Sequence, residues 1–314
     1  MNELGAGAQP FLFVIDFDLQ KPLIYTPQEA VEAGILYQIH HRKNYIQPIA
    51  AKGGFTFQKI PIGREEYQRS FDLVMRHLQS GNSYLVNLTC STNIETELSL
   101  EEIFFRSNAR YKLLKPNDFV VFSPEIFIQI TAGVISSYPM KGTIDASLAD
   151  AEAILLGNPK ELAEHHTIVD LIRNDLNMVA REVRVERFRY IEEIQTNFTK
   201  LLQASSMING ILPPDYPGHI GDILFRLLPA GSVTGAPKMR TVEIIREAET
   251  YHRGYYTGVM GYFDGLNLDS GVMIRFIEEM PDGKVFKSGG GITSLSNTDD
   301  EYREMIDKVY VPFT

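Results

Sequence analysis

A single cysteine, Cys90, in 314 residues excludes an intramolecular disulfide, a cysteine-rich zinc site and a CxxC redox motif, and it fits a reducing cytoplasm. Long apolar runs are missing from the N-terminus: FLFVI at 11–15 is closed by Asp16 and has no basic segment ahead of it. That stretch is too short for a signal segment or a membrane span and reads as a buried strand. Clustered Lys and Arg are missing too, and the net charge is -10, so a general nucleic-acid or anionic-membrane binder is excluded. An anionic small molecule would need a local basic pocket. No internal repeat, low-complexity tract or linker-like stretch divides the chain, so one domain over 1–314 is expected.

What is present centres on ELAEHHTIVDLIRNDL at 161–176. Asn158-Pro159 opens it, and Leu162, Val169, Ile172, Leu176 and Val179 recur at helical steps, so an amphipathic helix entered through proline is predicted. Glu161 and Glu164 lie three apart in its first turn, where the helix dipole stabilises negative charge and a hard cation could take oxygen ligands. Earlier in the chain, a helical stripe runs over 64–79 and ends at Gly81-Asn82, and a strand follows over 83–91. Ser99 and Glu102 make a capping box, and Ser123-Pro124-Glu125 interrupts a β-rich stretch over 118–137. The turn Gly53-Gly54 precedes Phe55-Thr56-Phe57.

Two loops carry glycine beside lysine. Pro139-Met140-Lys141-Gly142-Thr143 follows a strand and leads to a helix expected to be capped at Ser147. Residues 231–238, GSVTGAPK, lead into a helix over 238–249 whose first N–H groups could receive a carboxylate or phosphate, although the Walker spacing is absent. The last seventy residues alternate like antiparallel hairpins, with turns at Asp264-Gly265 and Asp282-Gly283. Gly289, Gly290 and Gly291 leave room for a ligand against the backbone. Thr298 and Glu301 have capping-box spacing at the start of a final helix on which Glu301, Glu304 and Lys308 share a face.

Read in order, SPE at 123–125, PMKGT at 139–143, the 161–176 stretch, GSVTGAPK, RGYYTGVMGYF at 253–263, MIRF at 273–276 and SGGGITSLSNTDDEYREMIDK at 288–308 resemble the chorismate-utilising enzymes. That family includes the anthranilate, aminodeoxychorismate, isochorismate and salicylate synthases. The resemblance covers the last two-thirds of the chain. It implies an α+β fold with two large, mostly antiparallel sheets packed together and helices outside, with 1–60 a reduced N-terminal portion and 61–314 the catalytic core. The shortened N-terminal portion implies no feedback by tryptophan.

The resemblance also implies the site. Glu164 and Glu304 would ligate Mg²⁺, with Glu161 and Glu301 behind them through water. Arg275, Tyr256 and the backbone of Gly289, Gly290 and Gly291 would hold the enolpyruvyl carboxylate of chorismate. Thr143, Thr234, Lys238 and Lys308 would border the substrate, and Glu125 would protonate the departing C4 hydroxyl with a pKa raised by burial. Anthranilate synthases carry alanine where this chain has Lys141, whereas aminodeoxychorismate synthases carry lysine. A desolvated Lys141 beside a cation would lose its proton, attack C2, and yield 4-amino-4-deoxychorismate once ammonia displaced it.

Cys90 stands in no nucleophile-elbow context, so ammonia would come from a separate glutamine amidotransferase subunit. Leu85 replaces the glutamine common to the ammonia-using enzymes, and it is not the lysine base of isochorismate synthases. The family's active-site histidine, expected in a helix over 197–208, is replaced within Leu201-Leu202-Gln203. An anthranilate synthase large subunit and an inactive chorismate-binding partner are the alternatives; Lys141 opposes the first, and the retained acid, lysine and carboxylates oppose the second.

Overall fold

The computed structural model describes residues 1–48, 54–195 and 200–313. Two nine-stranded sheets organise them. The first runs Met140–Asp145, Lys200–Ile211, Val134–Ser137, Ile126–Thr131, Leu268–Val272, Val259–Phe263, Phe11–Ile15, Leu23–Tyr25, with Arg181–Gln195 also paired to Lys200–Ile211. The second runs Gly235–Ala236, Leu85–Glu95, Gly283–Ile292, Phe276–Met280, Phe119–Ser123, Tyr111–Lys115, Leu36–Ile39, Arg42–Lys43, with Gln58–Ile60 on Leu85–Glu95. The pairings in both sheets are antiparallel, as the two Asp-Gly hairpins lead one to expect.

The strand Phe11–Ile15 shows how the layers join. Phe11, Phe13 and Ile15 pack on one face with Ile168, Val169, Ile172 and Leu176 of the helix Pro159–Asn177. Leu12 and Val14 point the other way, into a cluster with Tyr111, Leu113, Phe119 and Val121 of the second sheet. Period-two alternation therefore buries both faces of a five-residue strand, one against a helix and one between the sheets. On the far side of the second sheet, Tyr67, Phe71 and Val74 of Arg64–Gln79 and Ile244 and Ile245 of Lys238–Ala248 cover Val86, Leu88 and Ile292. The chain is thus helix, sheet, sheet, helix in section, and residues from the first sixty contribute strands to both sheets. Among the described residues no helix is long and apolar enough to cross a membrane.

Several local expectations change. Helix Thr298–Asp307 is capped by Asn297, whose side chain accepts from the N–H of Asp299 and Asp300; Glu301 instead turns inward and accepts from Ser296 Oγ at 2.7 Å. Helix Ala151–Gly157 starts after Asp150, in a left-handed conformation, and Ser147 caps nothing: its N–H bonds Asp145 at 2.8 Å. Lys200–Ile211 is a strand, because pairing with Arg181–Gln195 along its length outweighs any helical tendency; residues 197–199 lie outside the described set. Phe55, Thr56 and Phe57 precede a strand that starts only at Gln58, and Gly53 lies outside the described residues.

One buried charge costs the fold stability. Lys112 is 3% exposed, with Nζ donating to the Ser107 carbonyl at 2.8 Å and lying 4.5 Å from the Phe104 ring centre. Burial, then the nearby Lys43, pulls it down to about 8. Its folded pKa is below the unfolded one, so the penalty is full below pH 8 and fades as pH rises towards the unfolded value. Lys112→Met is expected to stabilise the protein at pH 7 by about 1–2 kcal/mol, allowing for the lost Ser107 bond. Urea melts at pH 7 and pH 10 should show that gain shrinking at the higher pH.

Candidate active site

The strand that carries Lys141 is irregular at the lysine. Met140 pairs with Ser205 and Thr143 with Gln203, so three steps on one strand face two on the other, a bulge that re-aims Lys141. Gly142 permits it with φ +82, and a Cβ there would stand 3.0 Å from both Glu161 Oε2 and Leu155 Cδ1. Lys141 is therefore a strand residue, not a loop residue, and it lines a cleft of about 750 Å³.

Glu125 lines the same cleft from the link between Phe119–Ser123 and Ile126–Thr131. The residue is half-buried, and burial raises the pKa of its carboxyl, opposed by Ser232, Lys308 and Arg275. Ser232 Oγ donates to Glu125 Oε1 at 2.5 Å. Nothing local in the sequence marks that partnership, since the two residues are 107 positions apart.

Four glutamates stand at or beside the cleft, three of them close enough to act on Lys141. Glu161 and Glu304 line the cleft, while Glu164 and Glu301 are buried beside it, 8% and 7% exposed. Lys141 Nζ stands 2.7 Å from Glu164 Oε2, and Lys308 Nζ 2.6 Å from Glu304 Oε1. Burial pulls Lys141 down, but Glu164, Glu161 and Glu304 prevail, so its pKa is raised. The carboxylates that surround the amine are its counter-ions, so the expected depression depends on a cation that takes them up.

Glu161 Oε2 is buried without a hydrogen-bond partner, an oxygen suited to a hard cation. Counted formally, four carboxylates against two amines give these six side chains a charge of −2. The donor set therefore fits Mg²⁺, which commonly uses few protein carboxylates and keeps waters. Among the described residues no three Asp, Glu, His or Cys side chains already converge on a metal position.

Gly289, Gly290 and Gly291 lie in the strand Gly283–Ile292 rather than in a loop. Its pairing with Phe276–Met280 ends at Lys287, leaving one edge of the glycines without a strand beside it. Lys308 Nζ takes the Gly289 carbonyl at 2.9 Å on that edge; by strand alternation the N–H groups of Gly289 and Gly291 point the same way. A Cβ on Gly290 would come within 3.4 Å of Glu304 Oε1 and 3.5 Å of Glu301 Oε2.

Arg275, Tyr256, Thr234 and Thr143 also line the cleft. Arg275 holds φ +55, and its guanidinium donates to the Lys308 carbonyl at 3.2 Å, leaving further N–H groups of the fork for an anion. The Thr234 hydroxyl donates within its own turn, to the Ala230 carbonyl at 3.0 Å, and holds the wall of the cleft there. Lys238 is engaged by Asp175 at 2.6 Å and does not line the cleft.

Gln203, within the stretch that replaces the expected histidine, does line it. The helix Pro159–Asn177 does carry a buried imidazole, His165, but Nε2 faces Ser206 Oγ at 2.6 Å, and burial, then Arg189, pulls it down to about 4.

The two sheets enclose a cleft lined by carboxylates, lysines, Arg275 and Arg303, and residues 22–313 match the chorismate binding enzyme family. The chain belongs to that family. It is 52% identical over 312 residues to an uncharacterised PabA-like protein of Pasteurella multocida, covering 99% of this chain and 96% of that one. It is 35% identical to aminodeoxychorismate synthase component 1 of Klebsiella aerogenes, covering 83% of this chain but only 60% of that protein. The fold matches MenF, the menaquinone-specific isochorismate synthase of Escherichia coli, with a TM-score of 0.75 at 17% identity, over 98% of this chain and 78% of that one.

Proposed function

We propose that this chain is the chorismate-converting component of an aminodeoxychorismate synthase, forming 4-amino-4-deoxychorismate on the way to para-aminobenzoate and folate in the cytoplasm. The observation that carries the reading is the bulge that aims Lys141 into the cleft that Glu125 also lines. The N–H groups of Gly289 and Gly291 and the fork of Arg275 bind and orient a substrate carboxylate. Lys141 gives up its proton to water in the cleft, and its neutral amine attacks C2 of chorismate. Glu125 protonates the C4 hydroxyl, which leaves as water. Ammonia then adds at C4, the bond from C2 to Lys141 breaks, and the enolpyruvyl group is retained.

Glu164 and Glu304 would hold Mg²⁺, with Glu161 and Glu301 behind them. The chemistry the bound ion supplies is positive charge, for a substrate carboxylate and for the ring position that loses its hydroxyl. Desolvation alone lowers Lys141, so neutralising its three carboxylate neighbours frees the amine. A glutaminase subunit would supply the ammonia.

Chorismate, Mg²⁺ and ammonium at mildly alkaline pH are expected to give aminodeoxychorismate without pyruvate, read by liquid chromatography and mass spectrometry. Chelation should abolish the product. Anthranilate with pyruvate would overturn the assignment, and chorismate binding without turnover would favour a partner subunit.

A further inference from the structure

Behind the cleft wall lies a buried ion pair that the proposed chemistry leaves unused. The side chains of Arg253 and Glu249 are each 2% exposed. All five guanidinium N–H groups have acceptors: Nε reaches Glu249 Oε2 at 2.9 Å, and Nη2 reaches Glu249 Oε1 and the Asn87 carbonyl, both at 2.7 Å. Nη1 reaches the Val233 carbonyl at 2.8 Å and Thr257 Oγ1 at 3.2 Å. Glu249 also accepts from the N–H and hydroxyl of Thr89, at 2.8 and 2.7 Å.

A buried ion pair is a poor stability device, because desolvation offsets much of its attraction and an apolar pair would fill the same space. An apolar pair could not anchor two main-chain carbonyls. Asn87 and Val233 both line the cleft, and the Asn87 N–H bonds the Thr234 carbonyl at 2.7 Å, so the strand Leu85–Glu95 and the turn at 231–234 are tied at two points. Ser232 stands in that turn and donates to Glu125.

We propose that Arg253, clamped by Glu249, is a positioning residue for the general acid: it fixes the Val233 carbonyl and thereby holds Ser232 against Glu125. The proposal rests on the role assigned above to Glu125. The groups facing that carboxyl are Ser232, Lys308 and Arg275, and Arg253 reaches it only through the turn.

Arg253→Lys tests this. It keeps a cation beside Glu249 but lacks the fork that spans both carbonyls. Its kcat is expected to fall roughly 10- to 100-fold with KM changed less than about threefold. Adding Ser232→Ala should bring no loss beyond Ser232→Ala alone, since both act on one contact.

A ¹³C titration of the Glu125 carboxyl in the free protein needs no turnover. Losing the Ser232 donor removes what favours the carboxylate, so the midpoint should move to higher pH in Arg253→Lys and in Ser232→Ala alike. Glu249→Gln, which turns a donor towards Nε, should do the same and serves if Arg253→Lys does not fold. Losses that multiply in the double variant, or an unmoved titration, would overturn the proposal. A moved titration in a protein that makes no aminodeoxychorismate would sustain it while refuting the proposed reaction.

Discussion

Lys141→Ala is expected to lower aminodeoxychorismate formation by roughly 10³-fold or more, about 4 kcal/mol of barrier. The loss should appear in kcat, since Arg275 and the glycine strand that bind the substrate are untouched. Lys141→Arg separates two roles. It restores a cation beside Glu164 but supplies no nucleophile at neutral pH, so it should be as inactive as the alanine variant while melting closer to wild type. Removing the ammonium also removes a competitor for the carboxylates, so Lys141→Ala is expected to bind Mg²⁺ more tightly, measured calorimetrically. Turnover of Lys141→Ala within tenfold of wild type would refute covalent catalysis here.

Glu125→Gln should cost about 10²- to 10⁴-fold in kcat, the range for a positioned general acid. The pH profile gives the sharper test. Burial raises the Glu125 pKa, and an acid works only while protonated, so the wild-type rate should fall on the alkaline side of that raised value. Glutamine carries no titrating proton, and the alkaline limb assigned to Glu125 should vanish from the residual activity. A limb that persists unchanged in Glu125→Gln would assign it to another group.

Much of this was legible in the sequence because the chemistry sits in contiguous motifs. Pro139 to Thr143 held the lysine, the 161–176 stretch two carboxylates, and the final helix two more. Helical periodicity found Arg64–Gln79 to the residue, and Asp-Gly pairs found the hairpins. What escaped depends on partners distant in the chain. Ser232 finds Glu125, and Arg253 finds Asn87, only across the folded sheets. That Glu164, Glu161 and Glu304 also act as counter-ions to Lys141 is likewise set by the fold, since the three converge on the amine from two distant helices. The cap of the last helix was missed by one residue, since Thr298 and Glu301 carry the spacing while Asn297 makes the bonds.

The irregular step between Met140 and Thr143 makes the proposed chemistry a matter of parity as well as of identity. Successive strand residues face opposite sides, so a single residue gained or lost exchanges inside for outside. Deleting Gly142 would leave every reacting group in the chain and restore even pairing with Lys200–Ile211, yet it would turn the amine away from the acid. A related chain can therefore keep the lysine and lose the reaction by an odd change of count, and its letters must be read against the strand they pair with.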